Sequence, residues 1–397
     1  MDSSAHSANE HREDRVDYLA AMRRTFHRCP EIGFDLADTY ARVTQAIDQI
    51  GLEHTQSYGR YSVVAVLGRR TDVPTIAVRA DMDALPVEEQ TGLSYASENP
   101  GRMHACGHDA HMAMLLGAAR TLKPLEVELP FRLKMIFQPS EEGAVSGAQQ
   151  MVELGVLDDV DYVLGQHVAP ELDTGTAAVA RGAVCSACTA IELTFRGKTS
   201  HATLPHQGHD ALAMLVKTYN NIQLILSREI DPFERVVCSV GAINGGLVHN
   251  VICDRATMQI SLRTYDSSWR DFIVSRIQML ADHAAEELGG SVDCTVHYSS
   301  PAVVNDDQLV DCFVTASEKL LGEANAREVR PKMGSDDFAW YTTKKPSLYY
   351  WLGVRNLDSW PEKALHNNDF MLDEDALLIG EKLLIELLYT IGQNLNR

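Results

Sequence analysis

Four stretches of this chain carry side chains able to bind a divalent metal. MHACGHDAH, from Met103 to His111, packs three histidines, a cysteine and an aspartate into nine residues. Glu141 and Glu142 stand together in QPSEEG, His167 closes VDYVLGQH, and His366 lies in ALHNNDF. Thiolate, imidazole and carboxylate are the usual ligands of such ions. Cys106, His108, one of the two glutamates, His167 and His366 are too many donors for one catalytic zinc that must keep a position open. They suit two metals sharing a bridging group, roughly 3.5–4 Å apart. Adjacent residues do not easily aim both side chains at one metal, so one glutamate would bind and the other would face the nucleophilic water. A carboxylate there can take a proton from the water and hand it to a leaving amine.

Taken singly, each signal is weak. A histidine near a cysteine is commonly an ordinary hydrogen-bonded residue, and an isolated Glu-Glu is commonly a solvated turn. The placement of the residues is what joins them. TIAVRADMDALP and FRLKMIF read as strands, HMAMLLGAARTL as a buried helix, and VDYVLGQHV as a further strand. Cys106 and His108 precede the helix, the glutamates follow FRLKMIF, and His167 ends its strand. In open α/β sheets the carboxyl ends of strands form the crevice that binds ligands. The pattern therefore predicts a metal hydrolase.

The wider rhythm supports an α/β fold with a largely parallel sheet. Helices are predicted from about Glu13 to His27 and over TYARVTQAIDQI, which stops at Gly51. From about Ala183 to Ser299 the order becomes β-α-β-β-α-β, a ferredoxin-like module of about the right size. α/β-type segments resume after it, so the module reads as an insertion. The expected division is residues 1–182 and 300–397 as a catalytic domain and 183–299 as an inserted lid or dimerisation domain.

Composition narrows the function classes. The formal net charge of −20 argues against a broad surface for nucleic acid or an anionic membrane. No apolar stretch approaches the roughly 18 residues of a membrane span, and MDSSAHSANEHREDR lacks the apolar core of a signal peptide. The eight cysteines are dispersed, which suits reduced thiols in a cytoplasmic protein. Cys185 and Cys188 form a lone C-x-x-C that runs into a strand-like segment and lacks a second ligand pair. It reads as chance spacing.

RADMDALP, MHACGHDAH, QPSEEG, GQHV, HATLPHQGHDA, GSDDFA and LHNNDF fall in an order that resembles the M20 metallopeptidases. The likeness is greatest to the branch of hippurate hydrolases, N-acyl-amino-acid amidohydrolases and auxin-conjugate hydrolases, and it spans the chain from about residue 13. The resemblance implies a two-metal catalytic domain with an inserted lid. It implies Cys106, His108, Glu142, His167 and His366 as metal ligands and Glu141 as general base. It also implies His201 as the group that steadies the oxyanion, commonly from a partner subunit, and Asn250 and Arg263 as holders of the substrate carboxylate. An ion pair on a strand face is the competing reading of Arg263, and His206 could equally be a structural hydrogen bonder.

Three positions depart from the family's pattern. Asp81-Met-Asp83 stands where the wider clan has His-x-Asp, leaving Asp83 either to orient a ligand or to cap the next turn. Thr199-Ser200 replaces Gly-Gly before His201. Asp336 stands where relatives usually carry Glu, and no chemistry is assigned to it. The expected activity is cleavage of the amide of an N-acyl amino acid, with two Zn²⁺ or Mn²⁺ ions per chain, in a homodimer formed through the insertion. A dipeptidase or carboxypeptidase is the rival within hydrolases; a non-catalytic binding protein and a purely structural zinc site are the rivals outside them.

Overall fold

The structure is a computed structural model that describes residues 3–356 and 363–395, with side chains from residue 12 onward. Its helices in chain order are α1 (Ser3–His27), α2 (Ala37–Ile50), α3 (His108–Leu122), α4 (Gly147–Glu153), α5 (Ala211–Arg228), α6 (Ser267–Glu287), α7 (Asp307–Leu321), α8 (Ala339–Thr342) and α9 (Asp375–Asn394). The first seven strands are β1 (His54–Thr55), β2 (Val63–Leu67), β3 (Thr75–Asp81), β4 (Arg132–Gln138), β5 (Tyr162–Asp173), β6 (Ala177–Val179) and β7 (Gly182–Cys185). The rest are β8 (Ala187–Arg196), β9 (Val236–Gly245), β10 (Arg255–Thr264), β11 (Ser291–Ser300), β12 (Val303–Asn305), β13 (Ala326–Glu328) and β14 (Ser347–Arg355). They build two compact units. Met1–Val184, Val303–Pro331 and Asp337–Arg397 form the first, and Cys185–Ala302 with Lys332–Asp336 form the second.

The first unit is an eight-stranded sheet in the order β1-β2-β4-β3-β5-β14-β6-β13. Its centre, β4-β3-β5-β14, is parallel throughout, as the alternating strand and helix pattern predicts. Antiparallel pairing appears only toward the edges, at β1/β2, β2/β4 and β14/β6. Every residue of β3 is buried, as expected for a parallel strand covered on both faces. α3 is buried along nearly its whole length and packs against α1 and α9, which explains why its sequence shows no polar face. α2 ends at Gly51 in the left-handed conformation (φ +77°), the stop signal read from the sequence. α1 begins earlier than its apolar periodicity suggests, at Ser3. β5 is longer than predicted, running past His167 to Asp173.

The second unit is a four-stranded antiparallel sheet in the order β11-β8-β10-β9. With α5 between β8 and β9 and α6 between β10 and β11, this is the ferredoxin-like arrangement. Both helices start at side-chain caps, Asp210 accepting from Leu212 and Ala213 and Asp266 from Ser268. They cover one face, burying Ile191, Leu193, Met258 and Ile260. The other face carries exposed Ala190, Glu192, Gln259, Ser261 and His297. Lys332–Asp336 completes this unit from a distant part of the chain. Lys332 bridges to Cys185, Ser186 N–H donates to Gly334 O at 2.8 Å, and Tyr265 Oη donates to Lys332 O at 2.8 Å.

Candidate metal centre

The centre is assembled where strands of the first unit's sheet run out. β3 ends at Asp81, and two residues on Asp83 takes up a double task. Its carboxylate accepts the backbone N–H groups of Glu141 (2.9 Å) and Glu142 (3.1 Å). Its carbonyl oxygen accepts from His108 Nδ1 at 2.7 Å. The glutamate pair is thus pinned to the neighbouring strand end, on a turn that Ser140 enters with φ +54°, a costly conformation for a residue with a Cβ. Asp83 thus contacts both His108 and the turn that carries the glutamates.

Gly107 separates Cys106 from His108 and has φ +80°; a Cβ there would fall 2.5 Å from Val168 Cγ2. Only glycine lets the turn approach β5 this closely, and the approach brings Cys106 beside His167, with Sγ to Nε2 at 3.5 Å. His167 lies within β5 and does not end it. It follows Gly165, the last residue of β5 paired with β3, so the strand loses one neighbour there and the side chain gains room. Its Nδ1 donates to Val168 O at 2.7 Å. His366 sits at φ +66°, its backbone N–H donating to Ala105 O at 2.8 Å, and its Nε2 is 3.1 Å from Glu142 Oε1.

All six candidates of the first unit are therefore together. Donor atoms within 4.8 Å of one another form the groups Cys106/His108/His167, Cys106/Glu142/His366 and His108/Glu141/Glu142. Cys106 belongs to the first two. A further group, Asp81/His108/His111, has its polar atoms engaged otherwise: His111 bonds Asp81 and the Val168 N–H, and Asp81 also receives Arg79 Nη1 at 2.5 Å. Sequence reasoning missed His111, because its residue type is indistinguishable from that of His108 three positions earlier. It also missed Asp337, a buried carboxylate that accepts from Arg79, Gln138, Ser146 and the Ala148 N–H.

The donors suit a pair of divalent ions. His108 and His167 each donate Nδ1–H to a backbone carbonyl, which leaves Nε2 as the lone-pair nitrogen facing the cluster, the usual arrangement of metal-binding histidines. His108 Nε2 is buried without a hydrogen-bond partner, 3.5 Å from Asp81, and Glu142 Oε1 lies 3.1 Å from His366 Nε2. Burial lowers the pKa of both imidazoles, with neighbouring His111 adding to the effect, which favours the neutral form that a metal ion needs. Burial pushes the Cys106 thiol well up, and Glu142, Glu141 and Asp81 push it further. A thiolate in this acidic setting requires positive charge beside it, which divalent ions supply.

His201, Asn250 and Arg263 lie in the second unit. His201 is exposed and pairs with Val251 in an isolated bridge, its Nδ1 accepting from Thr203 Oγ1 at 2.8 Å. Asn250 O accepts from Ala202 N–H at 3.0 Å, tying the two loops together. Arg263 Nη1 donates to Ser335 Oγ at 2.7 Å. His206 is exposed on a short turn, and Asp336 is buried at the end of the added segment.

A model of Peptidase family M20/M25/M40 matches residues 77–390. The chain belongs to this family of hydrolases. It is 33% identical over 370 residues to the N-acetylcysteine deacetylase of Bacillus subtilis (strain 168), covering 93% of this chain and 95% of that one. It is 33% identical over 371 residues to Thermostable carboxypeptidase 1 of Saccharolobus solfataricus, covering 92% and 93%. Among solved structures it is similar to the Bacillus subtilis YXEP protein, a dinuclear metal binding peptidase from M20 family, with TM-score 0.84, 29% identity and coverage of 96% and 100%. As an M20 member the chain is a hydrolase acting on amide bonds, with a mixed α/β fold. Among the described residues, no helix is long and apolar enough to cross a membrane.

Proposed function

We propose that this M20 hydrolase is a two-metal amidohydrolase of N-acyl amino acids, releasing a carboxylic acid and a free amino acid. Cys106, His108 and His167 would hold one ion and Cys106, Glu142 and His366 the other, with the thiolate shared. The observation that carries the reading is this membership of Cys106 in two donor groups, with Glu141 alongside and pinned through its backbone to Asp83. Zinc and manganese are the candidate ions, and the cysteine with three histidines favours zinc on ligand softness.

Divalent ions held by these residues would supply a lowered pKa for a water and polarisation of the amide carbonyl. Glu141 takes a proton from the attacking water as its oxygen bonds to the carbonyl carbon. His201 stabilises the oxygen on which charge develops, acting from a second copy of the chain. The C–N bond then breaks, and Glu141 passes its proton to the departing nitrogen. Asn250 and Arg263 hold the substrate carboxylate. For Arg263 this is supported by its partner: it bonds a serine hydroxyl, and among the described residues no carboxylate pairs with it. Residues 183–299 would serve as the inserted lid and dimerisation domain, consistent with unpaired edges at β9 and β11. The dispersed positions of the eight cysteines are consistent with a cytoplasmic enzyme.

Glu141→Gln tests the chemistry. Turnover of N-acetyl- and N-benzoyl-amino acids is expected to fall about 10²- to 10⁴-fold with both ions retained; near-normal turnover would remove Glu141 from its role. The carboxypeptidase relative favours a second reading, cleavage of peptides. Assaying each N-acyl amino acid beside the matching dipeptide separates the two.

A further inference from the structure

His111 is buried on α3, one turn after His108, and contacts the Asp81 and His108 side of the cluster. Its hydrogen bonds fix its state. Val168 N–H, which can only donate, lies 3.0 Å from His111 Nε2, so Nε2 carries the lone pair. Nδ1 therefore carries the proton and donates to Asp81 Oδ1 at 2.6 Å. Asp81 is in turn fixed by Arg79, whose other nitrogens bond Gln138 and Asp337. Both ring nitrogens of His111 are thus spent on protein partners, and neither remains for a metal.

The position of Val168 gives this bond its significance. β3 pairs with β5 only from Ile76/Tyr162 to Arg79/Gly165. Beyond Gly165, β5 has a strand neighbour among the described residues only at β14, where Trp351 faces His167 and Leu352 faces Val168. On the open side the Val168 N–H would have no acceptor from a strand, and the imidazole of His111 supplies it. That N–H belongs to the peptide unit joining His167 to Val168. The carbonyl of Val168 also receives His167 Nδ1 at 2.7 Å. One residue thus links the two histidines. The ring of His111 also packs edge-on against that of His167, with centroids 4.7 Å apart.

We infer that His111 is a positioning residue for His167: it stands in for the missing strand beside β5 and so sets the direction in which His167 presents Nε2 to Cys106. The inference rests on the reading of Cys106, His108 and His167 as a metal-binding group. It assigns His111 no contact with substrate or ion.

The test uses the full chain, loaded with Zn²⁺ or Co²⁺, with the affinity of each metal equivalent measured by competition against a chromophoric chelator. Absorbance from Co²⁺–thiolate charge transfer reports the Cys106 environment. In His111→Leu, one of the two equivalents is expected to weaken about 10- to 100-fold, with a changed Co²⁺ spectrum and the other equivalent within a few-fold of wild type. His111→Gln, whose amide oxygen can accept from Val168 N–H, is expected to recover most of the loss. His111→Asn, too short to reach Val168, is expected to behave like leucine and replaces it if the leucine variant does not fold. Wild-type affinity for both equivalents in His111→Leu or His111→Asn overturns the inference, and so does equal weakening of both that glutamine fails to restore. A wild-type protein that binds no ion takes the inference and the proposed function down together. One that binds two ions yet cleaves no N-acyl amino acid removes only the proposed function.

Discussion

The two halves of the donor cluster are built differently. Cys106, His108 and His167 are 7%, 1% and 8% exposed and sit on a helix start and a central strand, with both imidazoles tied to backbone carbonyls. On the other side, the His366 side chain is 54% exposed, its loop holds a strained φ, and its backbone N–H donates to Ala105 O. Glu142 lies between, anchored through its backbone to Asp83. The first half belongs to the core of the sheet, and the second closes over it from a loop. A buried donor set is held on all sides by the core, whereas a half-exposed loop donor is less constrained by packing, so the first half should bind more tightly.

The largest effect should come from the atom common to both halves. Cys106→Ser is expected to lose both ions and to abolish turnover, as measured by elemental analysis of the purified protein alongside an assay. Retention of one ion at full affinity would show that the thiolate is not shared. His366→Ala is expected to lose one ion and keep the other, visible as a single remaining equivalent in chelator competition; loss of both would make the halves interdependent.

Acid should separate the halves in the same direction. Glu142 beside it raises the pKa of His366, whereas burial lowers that of His108 and His167. An imidazolium cannot bind metal. As pH falls toward and through the ordinary imidazole range, about 6.5, the His366 half should release its ion first, giving a two-step release curve. The smallest expected effect is on stability. Gly107→Ala places a Cβ against Val168 at φ +80° and should cost about 1–3 kcal/mol in urea unfolding of the metal-free protein. It should weaken the buried half more than the exposed one.

The same division governs what the sequence discloses. Donor types near strand ends bring Cys106, His108 and the glutamates to notice, and His167 with them although β5 runs past it to Asp173, because ligands of an open α/β sheet gather at the carboxyl ends of its strands. The β-α-β-β-α-β order likewise discloses the second unit's sheet. What stays hidden depends on single atoms. His108 and His111 are the same residue type on the same helix, and only the Val168 N–H distinguishes a donor facing the cluster from a bracket behind it. Asp83 acts through both its carboxylate and its carbonyl, which residue type does not reveal. Lys332–Asp336 carries no composition that assigns it to the second unit; its attachment is made by hydrogen bonds from the Ser186 N–H, Tyr265 and Arg263 and by a bridge to Cys185.

The proposed sharing of the Cys106 thiolate is the feature on which both halves depend, and anomalous X-ray diffraction from metal-loaded crystals tests it most directly. Two peaks are expected, one among Cys106, His108 and His167 and one among Cys106, Glu142 and His366, each about 2.3 Å from the same Sγ if zinc fills them. A single peak, or a pair of peaks with Cys106 bonded to neither, would contradict the account.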